Sequence, residues 1–595
     1  MELVVTVLSK VISFMYSGLI VLFMFCIPKA VHIFQQESYH FRDYIRWIYK
    51  NPKKAFGNGI KNLAPGLIYF LLMLIMDFVL LKTGVPHVTR GITYTVQLFL
   101  LYVIFYVSAF KLIFKWKQER KIAKKKLVYT GRVKRLLLAI FFGTLIVGTS
   151  FYINFNALPA LEQLCMLYAM GVLKYTIFIL TMPILVIIGA LFIYPVETII
   201  NDHYVSSARW KIIRPKYSKL IRIGITGSYG KTSMKFILKT ILSEKYNVLA
   251  TPESYNTTMG NVKIIRKELK PEHEVFISEM GARYRGDIRK ICDFVYPQIG
   301  IITSIGPQHL ETFGSIDGVA KTKAELLNAL PSKSKQNLET LYSQMYSKKN
   351  GEAENYQILN NGAIFLPVDN NFCSKLYENE NEREKFSYSV DDRDATIYAK
   401  DINLSDKGCE FTAVTPNGNI KCVSKLLGKH NIQNILGAIS VAQYLNLSNE
   451  QIARGIAKIE PVEHRLQILP SSNGTIVIDD AFNSNPSGSK AAIDVLKEFK
   501  GRKIVITPGM VELGNEEYKY NKEFGEYMAD CADIAILVGV KRSEPIEKGL
   551  IEKGFDKMNI YVVENLNAAT KKLAEITKVG DVVLFENDLP DNYNE

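Results

Sequence analysis

"IRIGITGSYGKTSMKFILKTIL" (Ile221–Leu242) reads as a strand, a glycine turn and a helix in immediate succession. Ile221–Thr226 is short and apolar, Gly227 and Gly230 open the turn, and Met234–Leu242 carries apolar residues at helical spacing. Such a turn lets backbone N–H groups approach phosphate oxygens, and the helix N-terminus behind it adds partial positive charge. Lys231 is then placed to reach the terminal phosphates, and Thr232 to ligate Mg²⁺. The usual P-loop spacing asks for a glycine where Ile225 stands, so the motif departs from the common form. The candidate nucleotide-binding set is Thr226, Gly227, Ser228, Gly230, Lys231, Thr232 and Ser233.

Upstream of this loop the chain changes character. Its 595 residues allow three or four units of roughly 100–200 residues each, and apolar residues crowd the first third. Five stretches, approximately Val11–Ile27, Pro65–Leu81, Thr93–Phe114, Leu136–Phe155 and Tyr175–Tyr194, reach the length a helix needs to cross hydrocarbon. No small-residue cleavage site follows the first, and further spans do, so it does not read as a signal peptide. Loops 29–61 and 115–135 are rich in Lys and Arg, whereas 82–90 and 156–174 hold few. Positive-inside topology therefore puts the N-terminus outside and everything after Tyr194 in the cytoplasm. The expected localisation is the cell membrane, as a multi-pass protein in contact with lipid. The net charge of +15 is accounted for by those loops, and no nucleic-acid partner is expected.

Three features of this region carry less. Asp77 admits a helix-pairing or interfacial role, favoured by its place near the outer end of its span, and a role in a proton path. His32–Tyr49 mixes aromatic and basic residues and reads as a helix on the inner membrane surface or as a loop. The seven cysteines show no CxxC pair and no metal-ligand spacing, as expected of reduced packing thiols.

Downstream of the loop, "SEMGARYRGDI" (Ser278–Ile288), "ITSIGPQHLETFGSIDGVAKTKAEL" (Ile302–Leu326), "LLGKHNIQN" (Leu426–Asn434), "EHR" (Glu463–Arg465), "IDDAFNSNPSG" (Ile478–Gly488) and "TPGMVELGNEEYKYNKEFGEYM" (Thr507–Met528) follow in order. With "TGSYGKTS", of the form T-G-[ST]-x-G-K-[ST], this series resembles the Mur ligases, the ATP-dependent amino-acid ligases of cell-wall synthesis. It fits best their MurF-type branch, which adds the D-alanyl-D-alanine dipeptide, over roughly Arg222 to Leu584. The fold class expected is an N-terminal α-helical transmembrane domain (1–205) followed by α/β. The α/β part comprises a P-loop Mur ligase central domain (206–465) and a Rossmann-like C-terminal domain (466–595).

The resemblance implies phosphorylation of an acceptor carboxylate by ATP, then attack of an amine on the acyl phosphate. Such a site gathers cations to spread the charge of a transferring phosphoryl group. By resemblance, Thr232 and Glu279 hold one Mg²⁺, and His309 belongs to a second metal. Lys323 takes up CO₂ as a carbamate, with Lys321 two residues away as an alternative in weaker register. Asn434 contacts adenine, with His430 and Asn431 completing its motif, Arg465 reaches the phosphates after domain closure, and Asp480 binds ribose. Asn483 and Asn485 follow in an NxNP-like turn. Asn256 and Thr257, in "SYNTTMGN" (Ser254–Asn261), are acceptor-loop candidates or parts of an ordinary polar loop.

Two departures bear on substrate. Only Asn201–Leu220 separates the last expected span from the strand, too little for the UDP-binding domain the family carries there. A lipid-linked saccharide or a growing cell-surface polymer at the inner leaflet is the expected acceptor, with an amino acid or dipeptide as donor. At the C-terminus, "GDVVLFENDLPDNYNE" replaces the family's Lys-Gly-Ser stretch with acidic residues, which puts the donor amine in question. Gln336–Glu384 reads as a solvent-facing segment. The alternatives are a γ-glutamyl-type polymer ligase, an ATP-binding membrane scaffold that does not ligate, and an ATP-driven transporter.

Overall fold

The computed structural model describes residues 27–122, 125–153, 181–332, 362–470, 474–482 and 484–589. The chain divides into two compact units, Met1–Ile200 and Asn201–Leu589, with short C-terminal pieces assigned to each.

The first unit is helical. Its helices include α1 (Phe41–Lys50), α2 (Asn58–Lys82), α3 (His87–Ile122), α4 (Gly131–Ile153) and α5 (Met182–Ile212), the last continuing beyond the unit. The second and third expected spans fall inside α2 and α3. The fourth and fifth overlap α4 and α5, with 154–155 and 175–180 outside the described residues, as is all of the first span but Ile27. Two of the described helical stretches are long and apolar enough to cross a bilayer: Phe99–Lys121, mean hydropathy 1.6, and Met182–Ile212, mean hydropathy 2.1. α2 contributes a shorter apolar stretch, Ile68–Leu80. The segment His32–Tyr49 is helical over 32–36 and in α1, where Tyr44 packs against Phe34 at 5.1 Å. α5 runs through Pro195, past the expected end at Tyr194. A proline removes one backbone bond, and just beyond it Arg135 Nε of α4 donates to Glu197 at 2.6 Å, holding the continuation.

The second unit contains two sheets. The strands are β1 (Ile221–Thr226), β2 (Val248–Ala250), β3 (Val275–Glu279), β4 (Ile299–Ile302), β5 (Ala363–Pro367), β6 (Glu384–Ser389), β7 (Ile397–Ser405), β8 (Gly408–Val414) and β9 (Ile420–Ser424). They run in the order β2-β3-β1-β4-β5-β6-β7-β8-β9, parallel as far as β7 and antiparallel after it. The parallel strands are rich in Ile, Val and Phe because helices cover both of their faces. On β1, Ile223 and Ile225 face a core with Met234, Ile237 and Leu238 of α6 (Lys231–Leu242). Gly224 faces the other way, where a Cβ would stand 2.6 Å from Leu326 of α9; the intervening helices are α7 (Thr258–Lys267), α8 (Asp287–Val295) and α9 (Ile316–Ala329). Emptying a core position such as Ile237 costs about 2–5 kcal/mol.

After α10 (Lys429–Tyr444), the second sheet is built from β10 (Gln467–Leu469), β11 (Ile476–Asp480), β12 (Lys503–Thr507), β13 (Ile534–Val538), β14 (Ile560–Val563) and β15 (Val582–Glu586). Its order is β10-β11-β15-β12-β13-β14, with β10 antiparallel, and α11 (Pro486–Lys497) and α12 (Glu517–Ala529) pack beside it. In the first sheet β1 lies between β3 and β4, with Ile225 opposite Glu279 and Thr226 opposite Ile302. Chain direction therefore brings three carboxyl ends to one edge, the place where parallel α/β sheets hold ligands.

Candidate active site

The turn between β1 and α6 depends on its glycines. Gly230 has φ +81°, and a Cβ there would stand 2.9 Å from Asn434 Oδ1. A Cβ on Gly227 would lie 2.1 Å from Thr303 Oγ1. Gly230 caps α6 without a side-chain acceptor, so the first amides of the helix face the loop with no capping oxygen. The loop is tied down from outside itself. Ser228 Oγ donates to Gly306 O at 3.0 Å, Thr226 Oγ1 donates to Met280 O at 2.8 Å, and Tyr229 N donates to Ser304 Oγ at 2.9 Å. Ser233 stands in the first turn of α6.

Lys231 Nζ donates to Gly227 O at 2.6 Å and has no carboxylate within ion-pair reach among the described residues. Burial lowers its pKa to about 8, Glu279 opposing the shift and Arg465 adding to it. A partly desolvated ammonium over an amide-lined turn is an anion site.

Glu279, fully buried at the end of β3, is the hub of the site. Thr232 Oγ1 donates to its Oε1 at 3.1 Å and Asn256 Nδ2 donates to the same oxygen at 3.3 Å. Lys235 Nζ, also fully buried, donates to Oε2 at 3.0 Å. Asn261 Nδ2 holds the Glu279 carbonyl at 3.1 Å. A carboxylate and a hydroxyl side by side at a phosphate loop are hard oxygen donors of the kind Mg²⁺ takes, so these residues fit the ion that the resemblance implies. Lys235 was not singled out from sequence. Its signal was there: it follows Lys231 by four residues, one helical turn, on the buried face of α6.

His309 stands apart from the Thr232–Glu279 pair. It sits in the left-handed region, φ +48°, and its Nδ1 pairs with Glu512, while Arg283 Nη2 lies 3.5 Å from the same carboxylate. Among the described residues no hydrogen bond or ion pair joins His309 to Thr232 or Glu279. Among the described residues no cluster of three His, Cys, Asp or Glu side chains is formed. Glu512 lies 203 positions from His309, a pairing that no local sequence signal announces.

Lys323 lies on the inner face of α9, 1% exposed, and Lys321 lies at the surface. Burial, and then repulsion from Lys231, hold the Lys323 ammonium well below the ordinary lysine range. A neutral amine is the form that combines with CO₂.

The C-terminal part supplies the rest. Asn485 caps α11 through Gly488 N at 3.0 Å, and its Nδ2 donates to Ser228 O at 3.3 Å, tying the second sheet's helix to the phosphate loop. Arg465 stacks over Phe482 at 4.3 Å; burial lowers its pKa, opposed by Asp480 and Glu279. Asp480 ends β11 and accepts from Leu466 N at 3.2 Å. Burial raises its carboxyl to about 8 against the pull of Arg465, with Glu586 of β15 adding to the rise. Asn434 stacks under Gly230 and bonds Asn431 Oδ1 at 3.4 Å. His430, its pKa lowered by burial to about 4, faces the Tyr229 ring at 5.3 Å. Of the acceptor-loop pair, Asn256 reaches Glu279, whereas Thr257 caps α7 through Gly260 N at 3.2 Å, the ordinary use of such a residue. Asn483 lies outside the described residues.

Comparison with known proteins agrees with this geometry. The Mur ligase middle domain profile matches residues 225–359 and 355–442, and the Mur ligase, glutamate ligase domain profile matches 464–586. Together they match more than half of the chain. A UDP-N-acetylmuramoyl-tripeptide--D-alanyl-D-alanine ligase of Escherichia coli (strain K12) is 29% identical over 361 residues, 60% of this chain and 73% of that protein. The protein of the same name from Buchnera aphidicola subsp. Baizongia pistaciae (strain Bp) is 32% identical over 51% of this chain and 59% of its own length. Among solved structures, MurF from Acinetobacter baumannii superposes with a TM-score of 0.56 at 23% identity, covering 66% of this chain and 78% of that one. MurF ligase from Thermotoga maritima, in complex with ADP, gives 0.54 at 22% identity, covering 65% and 80%. The loop, its buried acid and lysines, and the pair of sheets that carry them thus have one explanation: the chain belongs to the Mur ligase family of ATP-dependent amide ligases.

Proposed function

We propose that the chain joins an amino-acid or dipeptide amine to a peptide carboxylate of a cell-wall precursor, using ATP. The supporting observation is the convergence of Lys231, Thr232, Glu279 and Arg465 on the edge formed by β1, β3 and β4. The α6 amides and Lys231 hold the β- and γ-phosphates, and Arg465 spreads the charge that builds during transfer. Asn434 and Asp480 take the adenine and ribose. Thr232 and Glu279 would hold Mg²⁺, which would neutralise charge on the phosphates, and His309 with a carbamate on Lys323 would hold a second ion. The acceptor carboxylate attacks the γ-phosphorus and releases ADP; the neutral amine then attacks the acyl carbon and releases phosphate. Asn256, beside Glu279, orients the acceptor.

The names of the relatives point to a muramoyl tripeptide as acceptor and D-alanyl-D-alanine as donor. A second reading, a saccharide acceptor linked to lipid and met at the inner leaflet, is favoured by one observation. The most apolar windows of Phe99–Lys121 and Met182–Ile212 are only 19% and 28% buried, whereas the core helix of a soluble protein is covered. On this reading the first unit is a multi-pass anchor and the ligase part is cytoplasmic. Release of ADP by the full-length chain, measured against UDP-linked and lipid-linked muramoyl tripeptides with D-alanyl-D-alanine, tests both. Dependence on acceptor and amine is the expected result; hydrolysis indifferent to both refutes ligation.

A further inference from the structure

Away from the nucleotide loop, a cavity of about 550 Å³ opens between the last turns of α5 with the segment after it, and α7. Lys211 and Arg214 line one wall and Lys263, Arg266 and Lys267 the other, with no acidic side chain among the lining residues. None of these cations has a carboxylate within ion-pair reach among the described residues. They are positioned nonetheless. Lys211 Nζ donates to Arg266 O at 3.0 Å, joining the two walls, and the Arg266 guanidinium stacks on Tyr204 at 4.3 Å. Lys263 Nζ donates to Tyr255 Oη at 3.3 Å. These partners fix the side chains without neutralising them. Burial, with Lys216 and Arg214 as like charges nearby, lowers the Lys211 pKa. Repulsion of this kind destabilises the empty cavity and is relieved when an anion enters.

We propose that this cavity binds the diphosphate of the acceptor. The inference rests on the ligase reading for its purpose and on the cation cluster for its chemistry. Position supports it. α7 begins two residues after Asn256, whose amide is 3.3 Å from Glu279. At 1.5 Å rise per residue, Lys263 and Lys267 lie about 8–14 Å along the helix from its first residue, Thr258. An extended tripeptide spans about 10 Å, so a diphosphate in the cavity leaves a sugar-linked peptide able to present its carboxylate at the site. The Tyr204 and Val262 walls and the exposed Met259 offer apolar contact beside the charges. A nucleotide sugar and a prenyl-linked sugar carry the same diphosphate, and the cavity recognises that shared group.

The test uses the full-length chain in detergent with ADP saturating the phosphate loop. Inorganic pyrophosphate, UDP-N-acetylglucosamine and farnesyl diphosphate are each titrated calorimetrically. Lys263→Glu/Lys267→Glu is the main variant, since both side chains are exposed and neither supports the core; Lys211→Gln is the second. The expected result is pyrophosphate binding that weakens with salt and falls at least about tenfold in either variant, with ADP affinity unchanged. Preference for the UDP sugar assigns the nucleotide source, preference for the prenyl compound the lipid source, and either supports the site. Pyrophosphate affinity equal in parent and variants, or no binding at all, overturns it. Should acceptor-dependent ADP release fail while this binding difference stands, the ligase reading falls and the anion site remains.

Discussion

Nucleotide binding should depend on pH through Lys231, and the size of the effect follows from its surroundings. In the free chain burial holds this ammonium at about 8, whereas a bound diphosphate supplies the counter-charge the pocket lacks and returns it toward the ordinary lysine range. Binding therefore takes up a proton once the pH exceeds the free-state value. At pH 8.5 about three-quarters of free chains carry a neutral Lys231, so about 0.75 proton is taken up per ADP. Between pH 7.5 and 9 the dissociation constant for ADP rises about eightfold from this group alone. Asp480, raised to about 8, ionises in the same window and adds loss in the same direction. Lys323, a neighbouring lysine held low by burial and by Lys231, is removed as a control. His430, lowered to about 4, is silent there. The assay is titration calorimetry of ADP in buffers of different ionisation enthalpy, on the parent, Lys231→Arg, Asp480→Asn and Lys323→Met. Lys231→Arg should bind more weakly throughout and lose the eightfold part of the slope; Asp480→Asn and Lys323→Met should keep it. A dissociation constant flat across this range, or a slope in Lys231→Arg equal to the parent's, refutes the reasoning.

Other outcomes follow from single contacts. Gly230→Ala places a Cβ at φ +81° against Asn434, costs about 1–2 kcal/mol, and should abolish ADP binding while the far-ultraviolet circular dichroism stays unchanged. Asp480 is raised in the folded state above its unfolded value of 3.8, so folding loses stability as pH climbs from there toward 8. Asp480→Asn should therefore raise the melting midpoint of the nucleotide-free chain more at pH 8 than at pH 4.5, and an equal rise contradicts the assignment. Lys323→Gln should cut turnover at least about a hundredfold with ADP affinity changed less than about threefold; a matching loss of affinity would make Lys323 a structural residue.

The sequence carried those parts of the site that are local. A strand, two glycines and a helix within 22 residues declare the phosphate loop, because turn geometry and hydrophobic spacing act over that distance. Glu279 was legible through the family resemblance as a partner of Thr232. Its pairing with Lys235 was not: that contact depends on β3 lying beside β1, a matter of sheet order. The same holds for His309 with Glu512 and for Asn485 with Ser228, 203 and 257 positions apart. Of the two readings that the sequence left open for Thr257, the structure shows its hydroxyl accepting from Gly260 N as a helix cap. The fifth expected span stopped at Tyr194, whereas α5 continues through Pro195, with Arg135 of α4 holding Glu197 on its far side. The cation cavity was invisible for a further reason. Lys211 and Arg214 fall in one basic stretch and Lys263–Lys267 in another, and only packing turns two solvated stretches into one unneutralised wall.

The central chemical claim is that ATP activates a carboxylate of the acceptor. Acceptor labelled with ¹⁸O in that carboxylate, incubated with the full-length chain, ATP, Mg²⁺ and amine, reads this directly in the phosphate released. One labelled oxygen per amide formed is the expected result, because the acyl phosphate keeps the carboxylate oxygen on phosphorus when the amine displaces it. Unlabelled phosphate accompanying full product formation would contradict it.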